Sequence, residues 1–265
     1  MNKSFNWLAC GSVLALLGIW SVGGARAEIR TKTITYKDGD VALKGMIAWD
    51  DAKSGKRPGV LIVHEWWGLN DYVKGRAKQL TAAGYVSFAL DMYGDGRITN
   101  HAKEAGAWAK QVNSNIAYWT RRAQAGLDVL KADANVAGGR IAAIGYCFGG
   151  STVMQMAYAG QDVKAVASFH GSLPPAPESV TSIKPRVLIA HGRDDKFIPA
   201  DRIKAFKAGL DRAKADWEMT IYSGTRHSFT NPGAAARKME NVRYNEKSDK
   251  RSWAAMIRMF DEVFK

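Results

Sequence analysis

Apolar residues along the chain fall into short runs bounded by glycine and polar stretches, and these runs alternate with longer amphipathic segments. Thr31–Tyr36 and Val41–Trp49, joined by Lys37-Asp38-Gly39-Asp40, predict an antiparallel hairpin. A strand–helix rhythm follows. Strands are expected at Gly59–His64, Tyr85–Leu90, Arg140–Tyr146, Val163–Phe169, Arg186–Ala190 and Trp217–Tyr222. Helices are expected at Asp71–Ala83, Ser114–Lys131, Ser151–Ala157, Ala200–Ala213 and Lys250–Phe264. Glycine-bounded apolar strands alternating with amphipathic helices predict an α/β fold. Its central sheet is mostly parallel, with helices on both faces. Sites in such sheets lie at the carboxyl ends of the strands. Tyr93–Lys110, which carries Arg97, His101 and Trp108, reads either as a cap beside the site or as an ordinary surface excursion.

The chemistry concentrates between the Arg140–Tyr146 strand and the helix after it, in Gly145-Tyr146-Cys147-Phe148-Gly149-Gly150. A nucleophile flanked by glycines between strand and helix forms the nucleophile elbow of the α/β-hydrolases, here with Cys in place of Ser. Gly145 and Gly149 lack the Cβ atoms that would clash in so tight a turn. The strained turn exposes the sulfur above the sheet, beside the positive end of a helix, where a thiolate is stabilised. A buried core cysteine is the bland alternative, and the elbow context argues against it.

A cysteine nucleophile needs a base, a carboxylate that orients the base, and an oxyanion hole. In this fold the chain order is nucleophile, acid, histidine. Arg186–Ala190 leads into His191-Gly192-Arg193-Asp194-Asp195-Lys196-Phe197-Ile198-Pro199. The hydrolase pattern His-Gly-x-x-Asp-x-x-aliphatic-Pro aligns on Asp195 and leaves Asp194 as a turn or capping residue. A metal site at His191 and these carboxylates lacks any further ligand spacing. After the last strand, Thr225-Arg226-His227-Ser228-Phe229 offers His227 as the base. His64 and His170 end strands on the active-site side, within reach of a pocket, while His101 reads as solvated. Phe148, after the nucleophile, supplies one oxyanion N–H. Trp66, in the His64-Glu65-Trp66-Trp67-Gly68-Leu69-Asn70 loop, is the candidate for the other. Glu65 is an unusual acid for the mouth of such a site, with a helix-start or surface carboxylate as the plainer alternative.

Composition changes the picture in two ways. Lys3, the largely apolar Leu8–Val22 and the small-x-small Ala25-Arg26-Ala27 predict a secretory signal peptide over residues 1–27, cut before Glu28. An uncleaved anchor is the alternative, but Gly11, Ser12, Gly18 and Ser21 interrupt the apolar run and make it a poor spanning helix. Too few apolar residues precede Cys10 for a lipoprotein signal. Cleavage removes Cys10 and leaves residues 28–265 as a single domain with one thiol, so no internal disulfide forms. The expected destination is the periplasm or the medium. The net charge of +13 raises the question of nucleic acid or anionic lipid as a partner. The basic residues are dispersed, and Lys247, Lys250 and Arg251 alternate with Glu246 and Asp249, so an exported enzyme with a basic surface fits better.

Together these motifs resemble the dienelactone hydrolase (carboxymethylenebutenolidase) family of the α/β-hydrolases over essentially the whole mature chain. The resemblance rests on the Cys147 elbow, the Glu65–Asn70 loop, Asp195 in its strand-end motif and His227-Ser228-Phe229. It implies a Cys147, Asp195, His227 triad, with Glu65 helping to deprotonate Cys147 when substrate binds. It also implies oxyanion N–H groups from Trp66 and Phe148. Trp67, Tyr146 and Asn231 complete the expected substrate-binding set. Members that degrade aromatic compounds hold the substrate carboxylate with arginines. One of these lies four residues beyond the catalytic histidine, where this chain has Asn231.

The expected activity is hydrolysis of a carboxylic ester or lactone through a Cys147 acyl-enzyme, without metal or organic cofactor. A thiolate is also a good leaving group, so activated esters, enol lactones and thioesters suit it better than amides. Asn231 predicts weak preference for carboxylate-bearing lactones. A non-catalytic ligand-binding protein and a redox-responsive thiol protein are the alternative classes. Export itself is open to direct test. N-terminal sequencing of the protein from an export-competent host should begin at Glu28, whereas an N-terminus at Met1 would show that the leader is retained.

Overall fold

The computed structural model describes Met1 and residues 28–265, so the expected signal peptide lies outside the described residues. The hairpin pairs β1 (Ile29–Asp38) with β2 (Val41–Asp50), antiparallel over their full length. Next come β3 (Arg57–Val63), α1 (Asp71–Ala82) and β4 (Val86–Leu90). Then follow α2 (Ala102–Asn113), α3 (Ile116–Ala132), β5 (Val136–Tyr146), α4 (Phe148–Tyr158) and β6 (Ala165–Phe169). The chain closes with β7 (Arg186–Gly192), α5 (Ala200–Arg212), β8 (Trp217–Tyr222) and α6 (Glu246–Val263). One eight-stranded sheet results, in the order β1-β2-β4-β3-β5-β6-β7-β8. β2 joins β4 antiparallel, and every pair from β4 to β8 is parallel. This is the mostly parallel α/β sheet that the sequence predicts.

Strand alternation sends successive side chains to opposite faces of the sheet. On β3, Leu61 and Val63 join one apolar layer, with Trp119, Leu127 and Val153 from α3 and α4. Val60 and Ile62 join the other, with Leu80 from α1 and Met256 and Phe260 from α6. Both faces are therefore covered, which is why the strands read as continuous apolar runs. Asparagine side chains cap three helices: Asn70 accepts from Val73 N–H, Asn115 from Tyr118 N–H and Asn245 from Ser248 N–H. Among the described residues, no helix is long and apolar enough to cross a membrane.

Several boundaries differ from the pattern. α2 occupies much of the Tyr93–Lys110 stretch, its buried Ala105, Ala109 and Val112 at helical spacing. β5 starts at Val136 and runs through Gly138-Gly139. α4 starts at Phe148, so both glycines after Cys147 are helical. α6 starts a turn early, at Glu246.

The register aligns the carboxyl ends of the central strands. Val63 pairs with Gly145, Tyr146 with Phe169, and Phe169 with Ala190. The loops after β3, β5, β6, β7 and β8 therefore converge on one edge.

A buried ion pair ties the edge hairpin to the body. Asp38 accepts from Arg122 Nε at 2.8 Å and from Arg121 Nε at 2.6 Å, and the Arg122 side chain is fully buried. Burial alone would raise the Asp38 pKa, but the two guanidinium hydrogen bonds outweigh it and hold it below the ordinary value. Stability from this group is present above the unfolded carboxylate pKa, about 3.9, and is lost as pH falls through the lower folded value. Asp38→Ala would strand the Arg122 charge in the core, with an expected loss of about 3–5 kcal/mol. Denaturant melts at pH 7 and pH 3 check this. The variant's deficit should be large at pH 7 and smaller at pH 3, whereas an equal deficit at both would contradict the role given to the pair.

Candidate active site

The elbow is built by backbone crowding. Cys147 has φ 54° and ψ −114° and immediately precedes α4. A Cβ on Gly145 would sit 2.0 Å from the Gly149 carbonyl oxygen, and one on Gly149 would sit 2.2 Å from the Val63 carbonyl oxygen. Neither contact is possible for a larger residue, so the two glycines let strand, turn and helix interlock. A non-glycine residue at positive φ carries about 1–3 kcal/mol of strain, held in place by its surroundings. Two further non-glycine residues near Cys147 share the left-handed region: His170 at φ 42° and Ser228 at φ 53°.

Cys147 and His227 line one cavity of about 360 Å³. His227 Nδ1 lies 2.7 Å from Asp195 Oδ2, in a buried pair. The other Asp195 oxygen accepts from Phe197 N–H at 3.0 Å and from Asn241 Nδ2 at 3.3 Å. Asp194 is half-buried and accepts from its neighbour Arg193 instead. Burial works against ionised Asp195, yet the His227 hydrogen bond and charge hold its pKa below the ordinary value. Burial likewise opposes a charged His227. Negative charge on Cys147 and the Asp195 hydrogen bond outweigh it, raising the His227 pKa to about 10.

The walls are mostly aromatic and aliphatic. Trp66 and Trp67 meet edge to face at 4.9 Å between centroids, and Trp119 stacks on Phe148 at 5.6 Å. Phe197, Ile198, Met239 and Val242 complete the apolar lining. α2 contributes Ala109 and Asn113, so the region after β4 forms a wall of the cavity rather than a detached excursion. The N–H of Phe148 is at the first position of α4, where no intrahelical acceptor exists. Neither it nor the Trp66 N–H has an acceptor among the described residues.

Two expected site residues, Tyr146 and Asn231, lie outside the cavity lining, and a third, Glu65, is buried beside it. Tyr146 is fully buried and stacks on Phe169, in the layer opposite Cys147, because neighbouring residues on a strand face opposite ways. Asn231 does not line the cavity: its Nδ2 donates to Glu65 Oε2 at 2.7 Å, and its Oδ1 accepts from Gly233 N–H. Glu65 is buried rather than at the mouth, and its other oxygen accepts from Ser228 Oγ at 2.7 Å. Burial raises the Glu65 pKa, only partly offset by these two neutral donors. Glu65 thus links the loop after β3 to the loop that carries His227. His64 and His170 are buried behind the cavity rather than in its lining.

Other contributors carried no signal in the sequence. Asn241 accepts from Lys196 N–H, donates to Asp195, and receives the His227 N–H on its carbonyl. Arg202, on α5, is the one permanently charged side chain among the lining residues. Arg97 and Arg226 are engaged elsewhere, on Gly94 and Glu240 carbonyls. Asn231 therefore adds no charge to the wall, whereas Arg202 lines it and the Arg237 guanidinium sits 4.0 Å from the centroid of the lining Trp67. Among the described residues, no cluster of His, Cys, Asp or Glu has the arrangement of a metal site.

The comparisons with known proteins agree with this architecture. The sequence profile described as the dienelactone hydrolase family matches residues 43–264. A dienelactone hydrolase-like promiscuous phosphotriesterase from metagenomic libraries is 36% identical. Its structure superposes with a TM-score of 0.87, covering 90% of this chain and 99% of that one. The dienelactone hydrolase from Anabaena variabilis, 20% identical, shares the fold with a TM-score of 0.61, over 79% of this chain and 94% of its own. Among sequences, protein usf of Aquifex pyrophilus is 25% identical over 86% of this chain and 97% of its own length. With the family profile spanning most of its length, the chain belongs to the dienelactone hydrolase family, within the α/β-hydrolase superfamily.

Proposed function

We propose that this protein hydrolyses carboxylic esters or lactones through a thioester formed on Cys147. The observation that carries this reading is the placement of a strained Cys147 and an Asp195-paired His227 on the same apolar cavity. In the attacking form Cys147 is the thiolate and His227 the imidazolium, its Nδ1–H held by Asp195. Sγ attacks the substrate carbonyl carbon, and the carbonyl π electrons move onto oxygen. The Trp66 and Phe148 N–H groups stabilise that oxyanion, a contribution of about 3–4 kcal/mol per donor where it has been measured by mutation. Collapse expels the alkoxide, which takes a proton from His227 Nε2. Neutral His227 then removes a proton from water as it attacks the thioester. The acid departs, and thiolate and imidazolium are restored. Trp66, Trp67, Phe148 and Phe197 supply the surface that binds an apolar substituent. Glu65, with both oxygens engaged, holds the His227 loop.

A neutral phosphotriester is a second substrate class. The 36% identical relative is described as a promiscuous phosphotriesterase, and the cavity here is apolar. The same thiolate would displace an aryloxide from phosphorus.

Two experiments test the reading. Cys147→Ala should fold normally and lose hydrolysis of activated esters and of any aryl phosphotriester. Full activity in that variant would exclude the mechanism. Asp195→Asn should lower turnover by orders of magnitude, about 10⁴-fold in a comparable triad, while Asp194→Asn should change it less than about twofold. The reverse ranking in steady-state assays would show that the wrong carboxylate has been assigned to His227.

A further inference from the structure

Directly behind the nucleophile lies a fully buried histidine that the proposed reaction does not use. His170 follows β6, where the chain turns sharply under α4. A Cβ on Gly171 would fall 2.5 Å from Ser168 Oγ and 2.9 Å from the backbone of Gly150. With φ at 42°, His170 turns its ring beneath the elbow. Its Nδ1 accepts the Cys147 backbone N–H at 3.1 Å, a proton shared with the Phe169 carbonyl at 3.0 Å. Its Nε2 lies 2.7 Å from Thr230 Oγ1, which in turn lies 2.7 Å from the Tyr72 hydroxyl. Arg76 closes the network. Its Nη2 donates to the Thr230 carbonyl and to Asp249, both at 2.5 Å.

These contacts favour one state of the ring. An amide N–H can only donate, so the Nδ1 facing it carries no proton. Nε2 therefore bears the hydrogen and donates to Thr230, whose own hydrogen is left for Tyr72. A second proton on the ring would set N–H against N–H beneath Cys147. The His170 ring also lies edge-on to His227 at 5.1 Å between centroids. A cation there would repel the imidazolium that accompanies the thiolate. Burial, with the charges of His227 and Arg76, holds the His170 pKa well below the ordinary value.

We propose that His170 is a positioning residue for the reaction: as the neutral Nε2–H tautomer it secures the Cys147 peptide in its left-handed conformation and keeps a second positive charge away from His227. This rests on the proposed role of Cys147, but it predicts behaviour that can be read without ester turnover. Loss of the acceptor beneath the Cys147 peptide is expected to slow the reaction by up to about tenfold.

The test compares wild type with His170→Asn, His170→Leu and Thr230→Val, each first checked for folding by circular dichroism. The readouts are kcat and KM for 4-nitrophenyl butyrate, the rate of Cys147 alkylation by iodoacetamide, and the tautomer from ¹⁵N-histidine NMR. His170→Leu, which lacks an acceptor, should lower kcat and alkylation about tenfold with KM little changed. His170→Asn, whose Oδ1 takes the place of Nδ1, should recover most of both rates. Thr230→Val removes the Nε2–H acceptor and should mix the tautomers and lower both rates, which keeps the test decisive if the leucine variant does not fold. Wild-type His170 should give the neutral Nε2–H signature. An Nδ1–H tautomer, wild-type rates in the leucine variant, or equal losses in the leucine and asparagine variants would overturn the proposal. If wild type alkylates but hydrolyses no ester, the proposed function fails, and the alkylation series still decides the role of His170.

Discussion

The site depends on one piece of steric crowding, the crossing of β5 and α4 through Gly145 and Gly149. Backbone oxygens occupy the space that a Cβ would need at either glycine. That contact is what allows Cys147 to sit at positive φ between strand and helix. Everything else converges on the sulfur because the parallel strands end level with one another. The loops after β3, β7 and β8 bring Trp66, Asp195 and His227 to the same edge.

A strained turn persists only where its surroundings over-determine it. Here those surroundings are polar, buried and connected. Glu65 joins the loop after β3 to the His227 loop through Ser228 and Asn231. Asn241 fastens Asp195 and the His227 backbone from the other side. His170, Thr230, Tyr72 and the Arg76–Asp249 pair fill the space beneath. Removing one member leaves its partners desolvated and unpaired, which is more costly than the net value of the lost bond. The cavity above is apolar by contrast. That division suits a reaction in which substrate is held by aromatic surface and charge develops only where fixed donors wait for it.

Much of the fold was legible because its strands are buried on both faces and therefore appear as apolar runs between glycines. The misjudged boundaries share a cause. Gly138-Gly139 and Gly149-Gly150 look like breaks in isolation, yet the first pair lies within β5 and the second in the first turn of α4. Tertiary packing overrode the local signal. Cys147, Asp195 and His227 could be placed on one edge because each follows the end of a strand in the motif order that this fold leads one to expect. Tyr146 and Asn231 misled because proximity in sequence does not give side-chain direction. Tyr146 faces the opposite layer from its neighbour, and Asn231 turns back onto Glu65. Asn241 and Arg202 were illegible. Each acts through a loop or helix whose approach to the site is a property of the whole sheet.

The central claim is that Cys147 carries the acyl group during turnover. Acid quenching of the wild-type enzyme during steady-state hydrolysis of 4-nitrophenyl butyrate, followed by peptide mass mapping, tests it directly. The account predicts a butyryl adduct confined to the peptide containing Cys147, present during turnover and gone once substrate is exhausted. Sustained hydrolysis with no adduct on that peptide, or with the adduct on another residue, would contradict it.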